Sequence, residues 1–191
     1  MEALLTSVGL VAVAEMGDKT QLLSFVLAAR LRKPWPIIAG ILFATLANHA
    51  LAGWIGKLLA GWLPQSALFW IVGLSFIGFG LWVLHPDSLD REPRMHKWGA
   101  FVTAFVAFFV AEMGDKTQFA TIALAARFDA LATVVAGTTV GMMLANVPAV
   151  WIGEKLAARI PMKAVRLFAA TLFVVVGIIT LWSALTSAER S

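Results

Sequence analysis

Glu15-Met16-Gly17-Asp18-Lys19-Thr20-Gln21 returns without a change as Glu112-Met113-Gly114-Asp115-Lys116-Thr117-Gln118, each time in the middle of a long apolar run. This duplication constrains the chain more than any other feature, because hydrocarbon does not solvate a carboxylate. Even mild insertion scales charge about 2.5 to 3.5 kcal/mol for an ionised side chain at the centre of a membrane helix. Three such groups in each copy call for a shared purpose. The reading that supplies one has the two copies facing each other across a polar cavity and holding something positively charged.

The surrounding sequence is that of an integral membrane protein: of 191 residues 60% are hydrophobic and only 14% charged, with a mean hydropathy of +0.85. The absence of cysteine excludes disulfides, thiolate metal sites and a cysteine nucleophile. A net charge of +4 could suggest nucleic acid as a partner, but the basic residues lie in short segments between apolar runs, where membrane orientation accounts for them. No nucleic-acid partner is expected. Only Met1, Glu2 and Ala3 precede the first apolar run, without the basic start of a signal peptide, so the first helix is expected to be retained.

Runs of about 20 apolar residues predict six spans, at 4–30, 36–60, 66–85, 99–126, 130–156 and 164–186. Pro34, Pro36, Pro64, Pro86, Pro93 and Pro161 mark the breaks, with Asp129 in the remaining turn. An ungapped offset of 97 residues carries the first half onto the second: Ala28-Ala29-Arg30 onto Ala125-Ala126-Arg127, Gly40 onto Gly137, Trp54-Ile55-Gly56 onto Trp151-Ile152-Gly153, and Pro64 onto Pro161. Three spans per copy is an odd number, so the second copy must cross in the opposite sense. The expectation is an all-α membrane protein of six transmembrane helices in two inverted-topology three-helix repeats, residues 1–86 and 98–191, joined by a linker at 87–97. Secondary transporters built this way bind substrate near the midplane, at the repeat interface.

The distribution of basic residues orients this arrangement. Arg30, Arg32, Lys33, Arg91, Arg94, Lys97, Lys155, Arg159, Lys163 and Arg166 fall on one side, and Lys57, Arg127 and Arg190 on the other, while Lys19 and Lys116 lie within the membrane. The richer side should be cytoplasmic, which puts the linker inside and both termini in the periplasm.

Glu15 lies 11 residues after Leu4 and 15 before Arg30, near mid-bilayer at 1.5 Å per residue. On a continuous helix Glu15 and Asp18 share a face, and Lys19 is within reach of Glu15. Gly17 weakens the helix, and a local unwinding there would offer carbonyl oxygens as further ligands. Together the copies supply four carboxylates, two amides and two hydroxyls, an all-oxygen set suited to a hard divalent cation such as Ca²⁺ or Mn²⁺. Each copy sums to −1, so one divalent ion would neutralise the pair. Clustered carboxylates also take up protons readily, so H⁺ competes with the metal for the same oxygens. The plain structural alternative, in which Glu15–Lys19 and Glu112–Lys116 pairs merely hold helices together, explains neither the remaining aspartates nor the matched second copy.

The doubled EMGDKTQ in a short six-helix chain resembles the E-x-G-D-[KR]-[TS] cation exchangers, whose eukaryotic members are Golgi Mn²⁺/Ca²⁺ transporters and whose bacterial members include MneA-type manganese exporters. The likeness spans nearly the whole chain. It implies a fold of the cation/calcium-exchanger type, a metal held between the two motif helices, and counter-transport of protons or sodium. Carried onto this sequence, it gives Glu15, Asp18, Glu112 and Asp115 as ligand candidates, with Thr20, Gln21, Thr117 and Gln118 as polar support. Lys19 and Lys116 remain as internal ion-pair partners. The compact loops favour a bacterial member in the cytoplasmic membrane, exporting Mn²⁺ with Ca²⁺ as the alternative cargo. No cofactor is expected, and the oligomeric state is open.

Asn48 and His49 in the second span, and Asn146 at the offset position of His49, are further polar candidates, divided between support of the site and plain interhelical hydrogen bonding. Met16 and Met113 are expected to pack, and Gly137 with Gly141 to seat a neighbouring helix. Trp35, Trp62 and Trp98 read as interfacial anchors. Two other functions are weaker fits. A passive channel would show fluxes insensitive to a proton gradient. An intramembrane aspartyl protease would use Asp18 and Asp115 as a proton-sharing dyad, but the lysine after each aspartate and the identical halves do not suit groups that need different protonation states.

Overall fold

The computed structural model describes residues 1–85, 98–152 and 162–188. Among these residues it has eight helices and no strand: α1 Glu2–Glu15, α2 Lys19–Leu31, α3 Pro34–Trp62, α4 Gln65–Val83, α5 Ala100–Glu112, α6 Lys116–Phe128, α7 Leu131–Ile152 and α8 Met162–Ala188. The expected linker with Arg91, Arg94 and Lys97 lies outside the described residues, as do Gly153, Pro161, the end of the fifth expected span, and Lys155, Arg159 and Arg190.

Four of the described helices are long and apolar enough to cross a bilayer, at Pro34–Trp62, Gln65–Val83, Leu131–Trp151 and Lys163–Thr186. They correspond to the second, third, fifth and sixth expected spans. The first and fourth, expected as 4–30 and 99–126, are not continuous. Each is cut after its glutamate: Met16 and Met113 are extended, with ψ 114° and 116°, and Gly17 and Gly114 take φ +80° and +78°. That backbone region is open to glycine at little cost, and a residue with a Cβ would be strained there. The chain is therefore able to break a helix in the middle of an apolar run. The other boundaries follow ordinary rules. Arg32 closes α2 in a left-handed conformation and donates its N–H to the Ala28 carbonyl at 3.0 Å. Pro34 then opens α3, where its missing N–H costs nothing. Pro148, by contrast, sits inside α7 without ending it.

The two halves are interwoven. A Cβ placed on Gly40 of α3 would lie 2.7 Å from the Ala104 Cβ and 2.7 Å from the Phe101 carbonyl oxygen of α5; one placed on Gly137 of α7 would lie 2.7 Å from the Ser7 Cβ and 2.9 Å from the Leu4 carbonyl oxygen of α1. The offset of 97 converts one contact into the other, so each motif-bearing helix packs on the second helix of the opposite half. Gly141 extends the α1 contact, as its GxxxG spacing suggested. Helix α4 packs along α8, where the Phe76 and Phe173 rings lie 6.1 Å apart.

Two apolar clusters result. One gathers Leu10 of α1, Phe76 of α4, Leu124 of α6 and Phe173 of α8; the other gathers Leu27 of α2, Ile41 of α3 and Phe108 of α5. Each broken pair is thus divided, α1 and α6 burying in the first cluster and α2 and α5 in the second. The motifs fall where the chain passes from one cluster to the other. Outside the clusters, large apolar side chains such as Leu81, Ile178 and Trp182 are more than half exposed, which suits a lipid environment and not water. Trp35, Trp62 and Trp98 are also strongly exposed, as interfacial anchors would be.

Candidate cation site

Each motif builds the same local frame. Glu15 and Glu112 end their helices, and their carbonyls accept the N–H groups of Asp18 and Asp115 at 3.1 Å across the three-residue break. The N–H of Gly17 is held by Gln21 Oε1 at 2.9 Å, and that of Gly114 by Gln118 Oε1 at 2.7 Å. The glutamines therefore brace the break, a role their spacing four residues after glycine allows. Asp18 and Asp115 precede the first residues of α2 and α6 but make no side-chain cap bond there. Their carboxylates are used elsewhere.

They reach across the repeat. Lys19 Nζ lies 2.9 Å from Asp115 Oδ1, and Lys116 Nζ lies 3.2 Å from Asp18 Oδ1. These pairs run between the two motifs, whereas a continuous helix would offer Glu15–Lys19 and Glu112–Lys116. The break supplies the reason, since it separates each lysine from the glutamate four residues earlier and leaves it beside the other motif's aspartate.

The glutamates are completely buried. One oxygen of Glu15 accepts the Thr20 hydroxyl, and Glu112 Oε2 accepts that of Thr117 at 2.9 Å. Glu15 Oε1, Glu112 Oε1 and Asp115 Oδ2 are buried and have no hydrogen-bond partner. Oxygens of Glu15, Glu112 and Asp115, one from each, all lie within 4.8 Å of one another. Oxygens around a single Ca²⁺ stand 2.3 to 2.6 Å from it, hence no more than about 5 Å from each other. Three of the four expected carboxylates thus meet the geometry of one ion. Asp18 stands outside that group of three, beside Lys116.

The other expected polar residues divide. Gln21 also donates from Nε2 to the Ala145 carbonyl of α7 at 3.1 Å, and Asn48 donates to the Phe109 carbonyl of α5 at 3.0 Å. Asn146 accepts the Ser24 hydroxyl at 2.8 Å and donates to the Met142 carbonyl at 3.1 Å. His49, at the offset position of Asn146, is buried with both ring nitrogens unpartnered. Met113 does not pack as expected: the break turns it outward, and it is 56% exposed. Sequence reasoning passed over Ser24 and Thr121. The available signal was a hydroxyl one turn beyond each motif threonine, repeated at the offset of 97.

The signature of the family described as divalent cation/proton antiporter GDT1 matches the chain twice, over residues 3–91 and 100–188. The chain belongs to the GDT1 family. It is accordingly a transporter of the antiporter kind and not an enzyme, a multi-pass membrane protein by its family and its apolar helices. It is 51% identical over 181 residues to a Vibrio cholerae serotype O1 protein named "Putative manganese exporter", an alignment covering 94% of this chain and 90% of that one. It is 31% identical to GDT1-like protein sll0615 of Synechocystis, covering 91% of this chain and 94% of the relative, and 30% identical to GDT1-like protein 4 of Arabidopsis thaliana, covering 96% and 95%. No solved structure matches the chain significantly.

Proposed function

We propose that this GDT1-family protein exports a divalent cation from the cytoplasm in exchange for protons, with Mn²⁺ the preferred cargo and Ca²⁺ the alternative. The observation that carries the reading is the approach of Glu15, Glu112 and Asp115, contributed by both halves, to within 4.8 Å in a buried setting. Asp18 completes the ligand set when the cation is bound. Thr20, Thr117, Gln21 and Gln118 hold the carboxylates and the broken backbone, with Asn48, His49 and Asn146 behind them. Lys19 and Lys116 balance part of the negative charge. The metal is cargo, and no resident cofactor is invoked. Preference for Mn²⁺ is supported by the likeness to the Vibrio protein.

In this reading each broken pair, α1 with α2 and α5 with α6, crosses the bilayer as one span. The six spans form two inverted repeats, 1–86 and 98–191, in the bacterial cytoplasmic membrane, with 87–97 cytoplasmic and both termini periplasmic. The basic-residue asymmetry and the exchange of packing partners at the offset of 97 support it. Protons enter the cycle because protonated carboxyls lose the charge that retains a cation. Acidification should therefore weaken metal binding.

The test is flux in proteoliposomes under imposed H⁺ and Na⁺ gradients, with Mn²⁺ and Ca²⁺ compared. Mn²⁺ movement driven against its gradient by H⁺, with apparent affinity falling at acidic pH, is expected. Flux indifferent to H⁺ but driven by Na⁺ would transfer the coupling to sodium, and flux indifferent to both would make the protein a channel.

A further inference from the structure

The two lysine–aspartate pairs carry identical chemistry but unequal burial. At Lys116–Asp18 the side chains are 4% and 7% exposed; at Lys19–Asp115 they are 23% and 3% exposed. The offset of 97 exchanges one pair for the other, so symmetry alone would make them alike. They also face opposite ways. Helical side chains lean toward the N-terminus of their helix, so Lys116, first in α6, leans toward α5, and Lys19, first in α2, leans toward α1. Lys116 Nζ comes within 3.5 Å of the His85 carbonyl, which directly precedes the 86–97 connection. That places Lys116–Asp18 on the connection's side of the carboxylate cluster and Lys19–Asp115 on the far side. An ammonium exposed to hydrocarbon is strongly disfavoured, so the exposed part of Lys19 marks a path to water.

Each pair also joins the two apolar clusters. Lys19 belongs to α2, whose Leu27 lies in one, and Asp115 adjoins α6, whose Leu124 lies in the other; Lys116 and Asp18 make the reverse connection. A small rotation of one cluster against the other about the motifs would tighten one pair and open its counterpart. We propose that Lys116–Asp18 and Lys19–Asp115 are the two gates of the transport site, opening in alternation, and that the structure, with both pairs formed, is the state more firmly sealed on the side of the 86–97 connection. The lysines are positioning residues: each holds an aspartate of the other motif and releases it when its gate opens. The proposal rests on the transport reading above but is tested separately from it.

The chain has no cysteine, so Thr117→Cys, inside the site, serves as a reporter for a membrane-impermeant methanethiosulfonate added to right-side-out or inside-out vesicles. Labelling should be faster from the side opposite the 86–97 connection. Lys116→Met should raise the rate from the connection's side about tenfold or more, because removing one partner of a buried pair strongly disfavours the closed arrangement. The other side should be unaffected. Lys19→Met should act only on the far side, and less, since that pair's lysine is already partly exposed. The swapped protein, Lys116→Asp with Asp18→Lys, should recover the parent's one-sided labelling, and it decides the matter alone if Lys116→Met does not fold. Equal acceleration from both sides, no acceleration, or two-sided labelling of the swapped protein would overturn the proposal. Mn²⁺ flux of the cysteine-free parent, measured in parallel, separates the two readings: absent flux with one-sided labelling defeats the cargo assignment and leaves the gates standing.

Discussion

Residues 15–21 and 112–118 are identical in sequence and nearly identical in backbone, yet they occupy different surroundings. Their breaks have the same φ at glycine within 2° and the same two brackets, glutamine to glycine N–H and threonine to glutamate. Their neighbours differ. Gln21 is buried and donates to α7, whereas Gln118 is half-buried; Lys116 is buried beneath the end of α4, whereas Lys19 is partly exposed. Local conformation is thus a property of the seven residues, and accessibility is a property of what packs over them. For an antiporter the distinction matters, because a symmetric site must be reached from one side at a time.

The comparison is most directly attacked at the shared element. Glu15→Gln and Glu112→Gln should each reduce cation transport by more than the roughly 10- to 100-fold that loss of a supporting residue around a metal typically costs. An amide keeps the shape but not the charge. Flux in vesicles at matched expression checks this, and loss in one variant with near-normal transport in the other would end the idea of equivalent halves.

Removing the lysines should separate the motifs where burial separates them. Lys116→Met leaves Asp18 in a buried setting and should destabilise the protein by about 3 to 5 kcal/mol. Lys19→Met also leaves a buried carboxylate, that of Asp115, and should cost less than Lys116→Met only because the lysine it removes is partly exposed. Thermal unfolding in detergent measures the difference, and equal losses would show that the unequal exposure has no energetic content.

Gly40→Ala and Gly137→Ala probe the symmetric packing of α5 on α3 and α1 on α7. Each places a Cβ under 3 Å from its neighbours and should cost about 1 to 3 kcal/mol by overpacking. The two losses should be similar. A large inequality in the same unfolding assay would mean that the two contacts are less equivalent than their matched geometry.

The smallest contrast lies one turn beyond the motifs. Ser24→Ala removes a hydrogen bond between α2 and Asn146 and should cost about 1 kcal/mol. Thr121→Ala removes a bond to the Thr117 carbonyl within its own helix and should cost less. A larger loss for Thr121→Ala would indicate that its hydroxyl serves His49, the residue facing the corresponding place in the second half.

Much of this was legible before any coordinates. Glu15, Asp18, Glu112 and Asp115 were readable as a group of four because their cost in hydrocarbon is hard to offset unless they act together, and the structure draws three of them, without Asp18, within 4.8 Å; Gly137 with Gly141 was readable because small residues at that spacing admit a second helix. Whether the first and fourth spans are broken at their glycines was open from the sequence, because apolar content reports membrane depth and not helical continuity; Gly17 and Gly114 permit a break without requiring one. The partners of Lys19 and Lys116 were out of reach for the same reason, since spacing of four residues is informative only on an unbroken helix.

Sequence alone determined that the chain lives in a bilayer, that it is a duplication, and that its intramembrane carboxylates recur at an offset of 97. These follow from the cost of placing charge in hydrocarbon, which is a property of each residue and its neighbours in the chain. Only the tertiary structure decided that each aspartate is held by the other repeat's lysine, that three carboxylates and not four gather within 4.8 Å, and that one ion pair is buried while its twin has a partly exposed lysine. Those outcomes depend on distances between residues about a hundred positions apart. Interhelical packing sets such distances, and two identical segments cannot encode a difference between themselves.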